Sequence, residues 1–346
     1  MLHVCCQARQ LLPSAGLLQA ICAILPERFR IAVALSDMSL LSLIAALLLE
    51  QFNPLPIRNA LMSWYGRYAS LLERELNAGH FRHGLLAWCI GVLFPCALVW
   101  AVYLLLLSLS TFLAFAWNVL VLYLMIGFRH FSHAFSGISD ALQAGDIGRA
   151  RQLLAEWTGQ QTDELESAEI SRLAIEQGLI DSYRYVFGTV FWFLLLPGPL
   201  GAVLYRLASQ LSAKWQLLDA DQPDGFGRCA TLLQHSLDWV PIRLTSISFA
   251  VVGDFEDAVY CWRSQAQTWL SRDYGILLAS GAGAIGIRLG ESLHQDHTVK
   301  YRPELGIGAE ADPDYLASAV GLVWRAVVLW LVLMLMFSLT HWVAVT

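Results

Sequence analysis

A chain of 346 residues that is 57% hydrophobic and 14% charged, with a mean hydropathy of +0.53, lies outside the balance of soluble domains. Its net charge of −6 excludes the basic footprint of a nucleic-acid binder, so no nucleic-acid partner is expected. The apolar residues come in blocks long enough to cross a bilayer, which makes lipid the expected solvent.

Residues 1–37 lack the charged start, apolar middle and small-residue cleavage site of a signal peptide. Met38 opens the run MSLLSLIAALLLEQF, so residues 1–37 read as an extension that is disordered or untranslated, and 38–346 as one membrane domain. Leu85 to Leu107 and Thr111 to Gly127 are apolar and split only by Ser108-Leu109-Ser110, which predicts a helical hairpin through the membrane. Arg58, Arg67, Arg74 and Arg82 precede it and Arg129, Arg149 and Arg151 follow it, so the positive-inside rule places both flanks in the cytoplasm.

Residues 134–182 are polar and helical in pattern, divided by turns at Ala144-Gly145-Asp146 and Thr158-Gly159. Val186 to Leu207 is apolar again, but Pro197-Gly198-Pro199 breaks its middle, leaving a re-entrant hairpin and a kinked spanning helix as equal alternatives. The stretch 208–322 carries many acidic residues and only short apolar runs; Ala326 to Val345 then supplies a last spanning helix with Arg325 at its start. The expected fold is therefore all-α: a polytopic membrane protein with cytoplasmic helical loops.

The seven cysteines are scattered, without a C-x-x-C pair, and read as small buried hydrophobes. Gly281-Ala282-Gly283-Ala284-Ile285-Gly286 matches G-x-G-x-x-G, yet no strand-like run precedes it, and small residues at this density favour close helix packing over a dinucleotide loop. His130 with His133, and His294 with His297, are pairs without an evident third ligand, so no metal site is expected. Glu166, Glu169, Arg172 and Glu176 lie on a helix leading toward the membrane, with Asp181 and Arg184 beyond; both a solvated ion-paired face and a carboxylate-lined site fit this pattern. Asp238-Trp239-Val240-Pro241-Ile242-Arg243-Leu244 joins a belt tryptophan, a proline suited to a helix start, and an arginine able to anchor at the interface or to pair with phosphate.

Several of these landmarks occur in an order that resembles the cobinamide-phosphate synthase (CbiB/CobD) family, from about Leu48 to Leu329. They include Asn53-Pro54, Tyr65-Gly66-Arg67, Ala141-Leu142-Gln143-Ala144-Gly145-Asp146 and Glu169-Ile170-Ser171-Arg172 with Glu176. Pro199-Leu200-Gly201-Ala202, Tyr205-Arg206, Trp239 to Thr245, Gly286 to Gly290 and Arg302-Pro303-Glu304-Leu305-Gly306 continue the series. The resemblance implies a membrane enzyme of cobalamin assembly that joins an aminopropanol derivative to a side-chain carboxylate of adenosylcobyric acid, using ATP and Mg. It further implies Glu169, Glu176 and Asp181 as acidic groups of the reaction. Arg67, Arg206, Arg243, Arg302 and Glu304 become substrate-binding residues, the corrinoid a partner alongside the bilayer, and self-association stays open.

The chain departs from that family's pattern at Gln160-Gln161, where the family has Arg-Asp before the threonine, at Gln177 and Ser182, where it has Asn and Gly, and in the stretch holding Ser209, Ser212, Ala213 and Lys214, where it has an Asn and then Asp-Ser-Met. These replacements count against an intact ligase and resemble the related AmpE family of membrane proteins connected with cell-wall sensing, which shares the Trp-Val-Pro-x-Arg-Leu landmark. A non-catalytic membrane regulator is accordingly the alternative expectation.

Overall fold

Ser110 makes the hairpin. Its extended backbone (φ −165°, ψ 135°) separates α3, Phe81–Leu109, from α4, Thr111–Met125, and its hydroxyl accepts from the Phe112 N–H at 3.3 Å. Trp117 donates to the Val99 carbonyl at 3.3 Å and ties the two helices together. Leu98, Leu105 and Phe112 are exposed on the outer face, as hydrocarbon-facing side chains are.

The computed structural model describes residues 38–50, 57–216, 225–295 and 298–345; the expected extension 1–37 and Asn53-Pro54 lie outside them. Before the hairpin come α1, Met38–Glu50, and α2, Ile57–Leu76. After it come α5, Phe128–Gln143; α6, Ile147–Thr158; and α7, Ser167–Ser182, with breaks at the two expected turns. Asp146 caps α6 by accepting from Arg149 N–H at 2.9 Å, and Gly159 ends it in the left-handed region (φ 69°).

A π-helical turn, Tyr183–Phe187, carries α7 into α8, Gly188–Leu195. The break at Pro197-Gly198-Pro199 then reverses the chain into α9, Leu200–Trp215, so the segment is a returning hairpin and not a kinked span. A Cβ at Gly201 would stand 1.8 Å from the Trp192 carbonyl oxygen, so only glycine lets the two arms approach this closely. Gly198 at the tip packs on Tyr103 of α3, and Tyr65 donates both to Leu207 O on α9 (3.4 Å) and to Gly91 O on α3 (3.1 Å). The hairpin is thereby laid against the long apolar helix.

Pro241 sits inside α10, Arg228–Val252, and not at a helix start. Proline leaves the carbonyl four residues earlier without its helical donor; here Trp192 Nε1 takes over Leu237 O at 3.1 Å. Pro95 in α3 is handled alike, because the vacated Gly91 carbonyl is the one Tyr65 reaches. The chain continues through α11, Phe255–Gln265, and α12, Arg272–Ile285.

The G-x-G-x-x-G match forms the end of α12, and Gly286 is its left-handed C-cap (φ 81°). A Cβ at Gly281 would come within 2.8 Å of Leu179, and one at Gly283 within 2.6 Å of Asp257 O, so the small residues serve helix packing. Short strands follow: β1 Ile287–Leu289, β2 Leu293–Gln295, β3 Thr298–Lys300, β4 Leu305–Gly306 and β5 Ala309–Glu310. β1 pairs antiparallel with β4 and parallel with β5, and β2 pairs with β3.

Finally α13 runs Asp314–Val345, starting well before Ala326, so Arg325 lies within the helix and not at its start. Its first turns are helical because Leu316, Ala319, Leu322 and Val323 bury one face. The chain is an all-α membrane protein whose few strands form a cap beside α7. Cys96, Cys229 and Cys261 are buried and free, as small hydrophobes.

Candidate functional site

The cap reads two side chains on α7 through the backbone of one residue, Gly290. Gly290 N–H donates to Glu176 Oε1 at 2.9 Å, while Gly290 O accepts from Arg172 Nη1 at 3.0 Å. Arg172 and Glu176 are four residues apart and so stand one turn above the other on the same helix face. Gly290 has φ +79°, and a Cβ there would meet Pro303 O at 2.0 Å, so the turn requires glycine twice over. Glu291 follows at φ +58° and accepts from Arg172 Nη1 at 2.6 Å.

The second Glu176 oxygen, Oε2, is bonded by Arg302 Nη2, and the Arg302 guanidinium lies over the Trp269 ring at 4.8 Å. Glu176 and Arg302 form the floor of a cleft of about 480 Å³. Its walls are Thr158 at the end of α6 and Gln160 just after it, Leu173, Gln177 and Ile180 on α7, Thr268, Trp269 and Leu270 after α11, and Leu293, Tyr301 and Pro303 on the cap. The volume falls in the range of small-molecule sites, and a charged pair under aromatic walls suits a ligand with an anionic arm.

Asp181 stands one turn beyond Gln177, accepting from Gln177 Nε2 and from Trp157 Nε1, each at 3.0 Å. Burial pushes its carboxyl above the ordinary carboxylate range, against the opposing pull of Gln177, Arg184, Trp157 and Arg206. It is linked to the cleft through Gln177 and does not itself line it.

The remaining expected residues are placed elsewhere. Glu169 completes a capping box with Glu166 at the start of α7, accepting from Glu166 N–H at 2.8 Å, which occupies it structurally. Arg67 is exposed on α2. Buried Arg206 stacks on Tyr185 at 4.2 Å. Arg243 stacks on Trp239 at 4.4 Å and faces Asp273 at 3.7 Å. Glu304 is half exposed and pairs with Arg288 at 3.6 Å on the outside of the cap. His297 lies outside the described residues, and the side chains of His130 and His294 are likewise undescribed; the described residues hold no group of three or more His, Cys, Asp or Glu arranged for a metal.

Sequence reasoning missed Trp269, Tyr301 and the Gly290 N–H, since no local spacing links residues that meet across more than a hundred positions. It also missed the role of Asp238, which lies on α10 and is buried against the π-helical turn and α9. Its Oδ1 accepts from Tyr183 at 2.5 Å, Tyr205 at 2.9 Å and Gln234 at 3.0 Å. The signal available was an aspartate inside an apolar, proline-bearing run, which must find partners to be buried at all.

Comparison with known proteins matches the family model for CobD/Cbib protein over residues 43–323. The cobalamin biosynthesis protein CobD of Stutzerimonas stutzeri is 34% identical over 299 residues, covering 85% of this chain and 96% of that protein. CobD of Chromobacterium violaceum is 37% identical over 217 residues, 63% of this chain and 69% of its own length. CobD of Mycobacterium tuberculosis (strain H37Rv) is 27% identical over 266 residues, 73% and 81% respectively. No solved structure matches the chain. The match spans the hairpin, α7 and the cap alike, and the chain belongs to the CobD/Cbib protein family.

Proposed function

We propose that this protein is the membrane ligase of cobalamin assembly that joins an aminopropanol derivative to a side-chain carboxylate of a corrinoid, and that the cleft beneath the strand cap is its reaction site. One observation carries the reading: two regions far apart in sequence, α7 around Glu176 and the cap around Gly290 and Arg302, converge on one ion pair that lines one cleft. In this reading the corrinoid ring docks at the cleft mouth and a carboxylate arm enters. The reading includes multi-pass insertion in the bacterial inner membrane with the cleft on the cytoplasmic side, and the arginines flanking the α3–α4 hairpin support that orientation.

In this reading Arg302 exchanges Glu176 for the anionic arm or for the phosphate of its activated form, as a planar guanidinium pairs well with either. Freed of the arginine, Glu176 keeps its hydrogen bond from Gly290 and accepts the proton that the amine loses as the amide bond forms and phosphate departs. ATP enters as a second substrate. Among the described residues, magnesium held by the protein does not fit the cleft: Glu176 is the one lining carboxylate there, and it is already bonded to Gly290 and Arg302.

The replaced positions bear on the same cleft, since Gln160 and Gln177 line it as neutral amides able to bond phosphate or amide oxygens. Complementation tests the proposal. A strain lacking the family's synthase and carrying this gene grows on cobyric acid; absence of growth, with the protein present in the membrane and growth on cobinamide intact, contradicts it and leaves the AmpE-like regulator.

A further inference from the structure

Helix α10 fails the usual hydropathy test for a membrane span, because Asp238, Arg243 and several hydroxyl residues dilute its apolar content. The structure sorts those residues by face. Trp239, Val240, Leu244, Ile247 and Val251 recur at helical spacing and are 40–55% exposed, close to the 59% and 60% of Leu98 and Leu105 on α3. Asp238, Thr245, Ser246 and Ser248 point inward and are buried.

The hydroxyls need no water. Thr245 donates to Pro241 O at 2.8 Å, Ser246 to Ile242 O at 2.9 Å and Ser248 to Leu244 O at 2.8 Å, the back-bonding that lets Ser and Thr sit in an apolar medium. The Arg243 guanidinium folds back over Trp239 toward Asp273 and His235, themselves 2.5 Å apart, at the polar end of the stripe.

The neighbours of α10 decide what covers this face. At its start, Gly84 of α3 packs against Phe226 and Cys229; further along, Trp330 of α13 donates to Ser248 Oγ at 2.8 Å. Among the described residues those are the two helices long and apolar enough to cross a membrane, and α10 bridges them, so its exposed stripe continues the lipid-facing surfaces on either side.

We propose that α10 presents Trp239 to Val251 to the hydrocarbon of the membrane, as a lipid-contacting helix whose polar side closes the buried cage around Asp238. Second copies of the chain and water are the competing occupants. The inference is independent of the ligase reading.

Single-cysteine additions Val240→Cys, Ile247→Cys and Val251→Cys test it in the full chain, reconstituted in phosphatidylethanolamine–phosphatidylglycerol vesicles and labelled with an environment-sensitive fluorophore. The wild-type chain, with its own cysteines, sets the background. Leu98→Cys on α3 and Ser264→Cys on α11 are the references for lipid and water. The proposal expects brominated acyl chains to quench the α10 labels as strongly as the Leu98→Cys label, with aqueous iodide quenching only Ser264→Cys. Iodide quenching along α10 would overturn it. So would labels quenched by neither agent that instead cross-link between copies of the chain.

Discussion

The α3–α4 hairpin and the strand cap over α7 satisfy their polar groups in opposite ways. In the hairpin the backbone bonds are almost all local, and the exceptions are single donors sent to isolated carbonyls, as Tyr65 is to Gly91 and Trp117 to Val99. Where the cap meets α7, charged groups are completed from a distant part of the chain: Glu176 from Gly290 and Arg302, Arg172 from Glu291. A membrane helix tolerates many side chains of similar hydropathy, whereas the cap depends on particular atoms at particular places.

The contrast breaks first at Gly290. Gly290→Ala would force a Cβ into Pro303 O and a left-handed backbone on alanine, and about 3 kcal/mol of destabilisation is expected. Thermal unfolding in detergent and loss of complementation both read it; a variant as stable as wild type would contradict the account of the cap.

Glu176→Gln comes next. The amide can keep the bond from Gly290 but leaves the mostly buried Arg302 guanidinium without its counter-charge, for a loss of about 2 kcal/mol. Adding Arg302→Gln is expected to recover part of that loss, with a coupling of roughly 1 kcal/mol in the double-mutant cycle; strict additivity would show that the pair does not act as one unit.

Asp181→Asn changes the pH dependence more than the stability at any one pH. With its folded value raised by burial, the Asp181 carboxyl contributes stability that is present below its unfolded value, about 4, and lost as pH rises through the folded one. The difference in Tm, variant minus wild type, should therefore rise from pH 4 to pH 8. A constant difference would mean that Asp181 is not shifted.

At the other extreme, Leu105→Met on the exposed face of α3 should stay within about 0.5 kcal/mol of wild type. A large loss there would mean that protein and not lipid covers the hairpin.

The same contrast sets what was legible in the sequence. Ser108-Leu109-Ser110 announced the hairpin because turn residues between two long apolar runs admit few other folds, and Pro197-Gly198-Pro199 likewise announced a break. Which way that break bent was not legible, since it depends on Gly201 meeting Trp192 across the turn. Pro241 looked like a helix start because its missing hydrogen bond is compensated by Trp192, nearly fifty residues earlier. Glu176 and Arg302 were both picked out, yet so were Glu169 and Arg243, which the structure uses for a helix cap and for an ion pair on α10. Acidic spacing on α7 does not distinguish the capping carboxylate at its start from the cleft carboxylate two turns later; only the arrival of Gly290 and Arg302 does.

The ligase reading rests on Glu176 in the cleft, and amide formation by the purified full-length protein in phospholipid nanodiscs tests it most directly. With cobyric acid, an aminopropanol derivative and ATP, wild type should form the cobinamide product. Glu176→Gln, still folded at the assay temperature, should be slower by about two orders of magnitude, as expected for loss of a general base. Product formed equally fast by Glu176→Gln, or none from folded wild-type protein, would contradict the account.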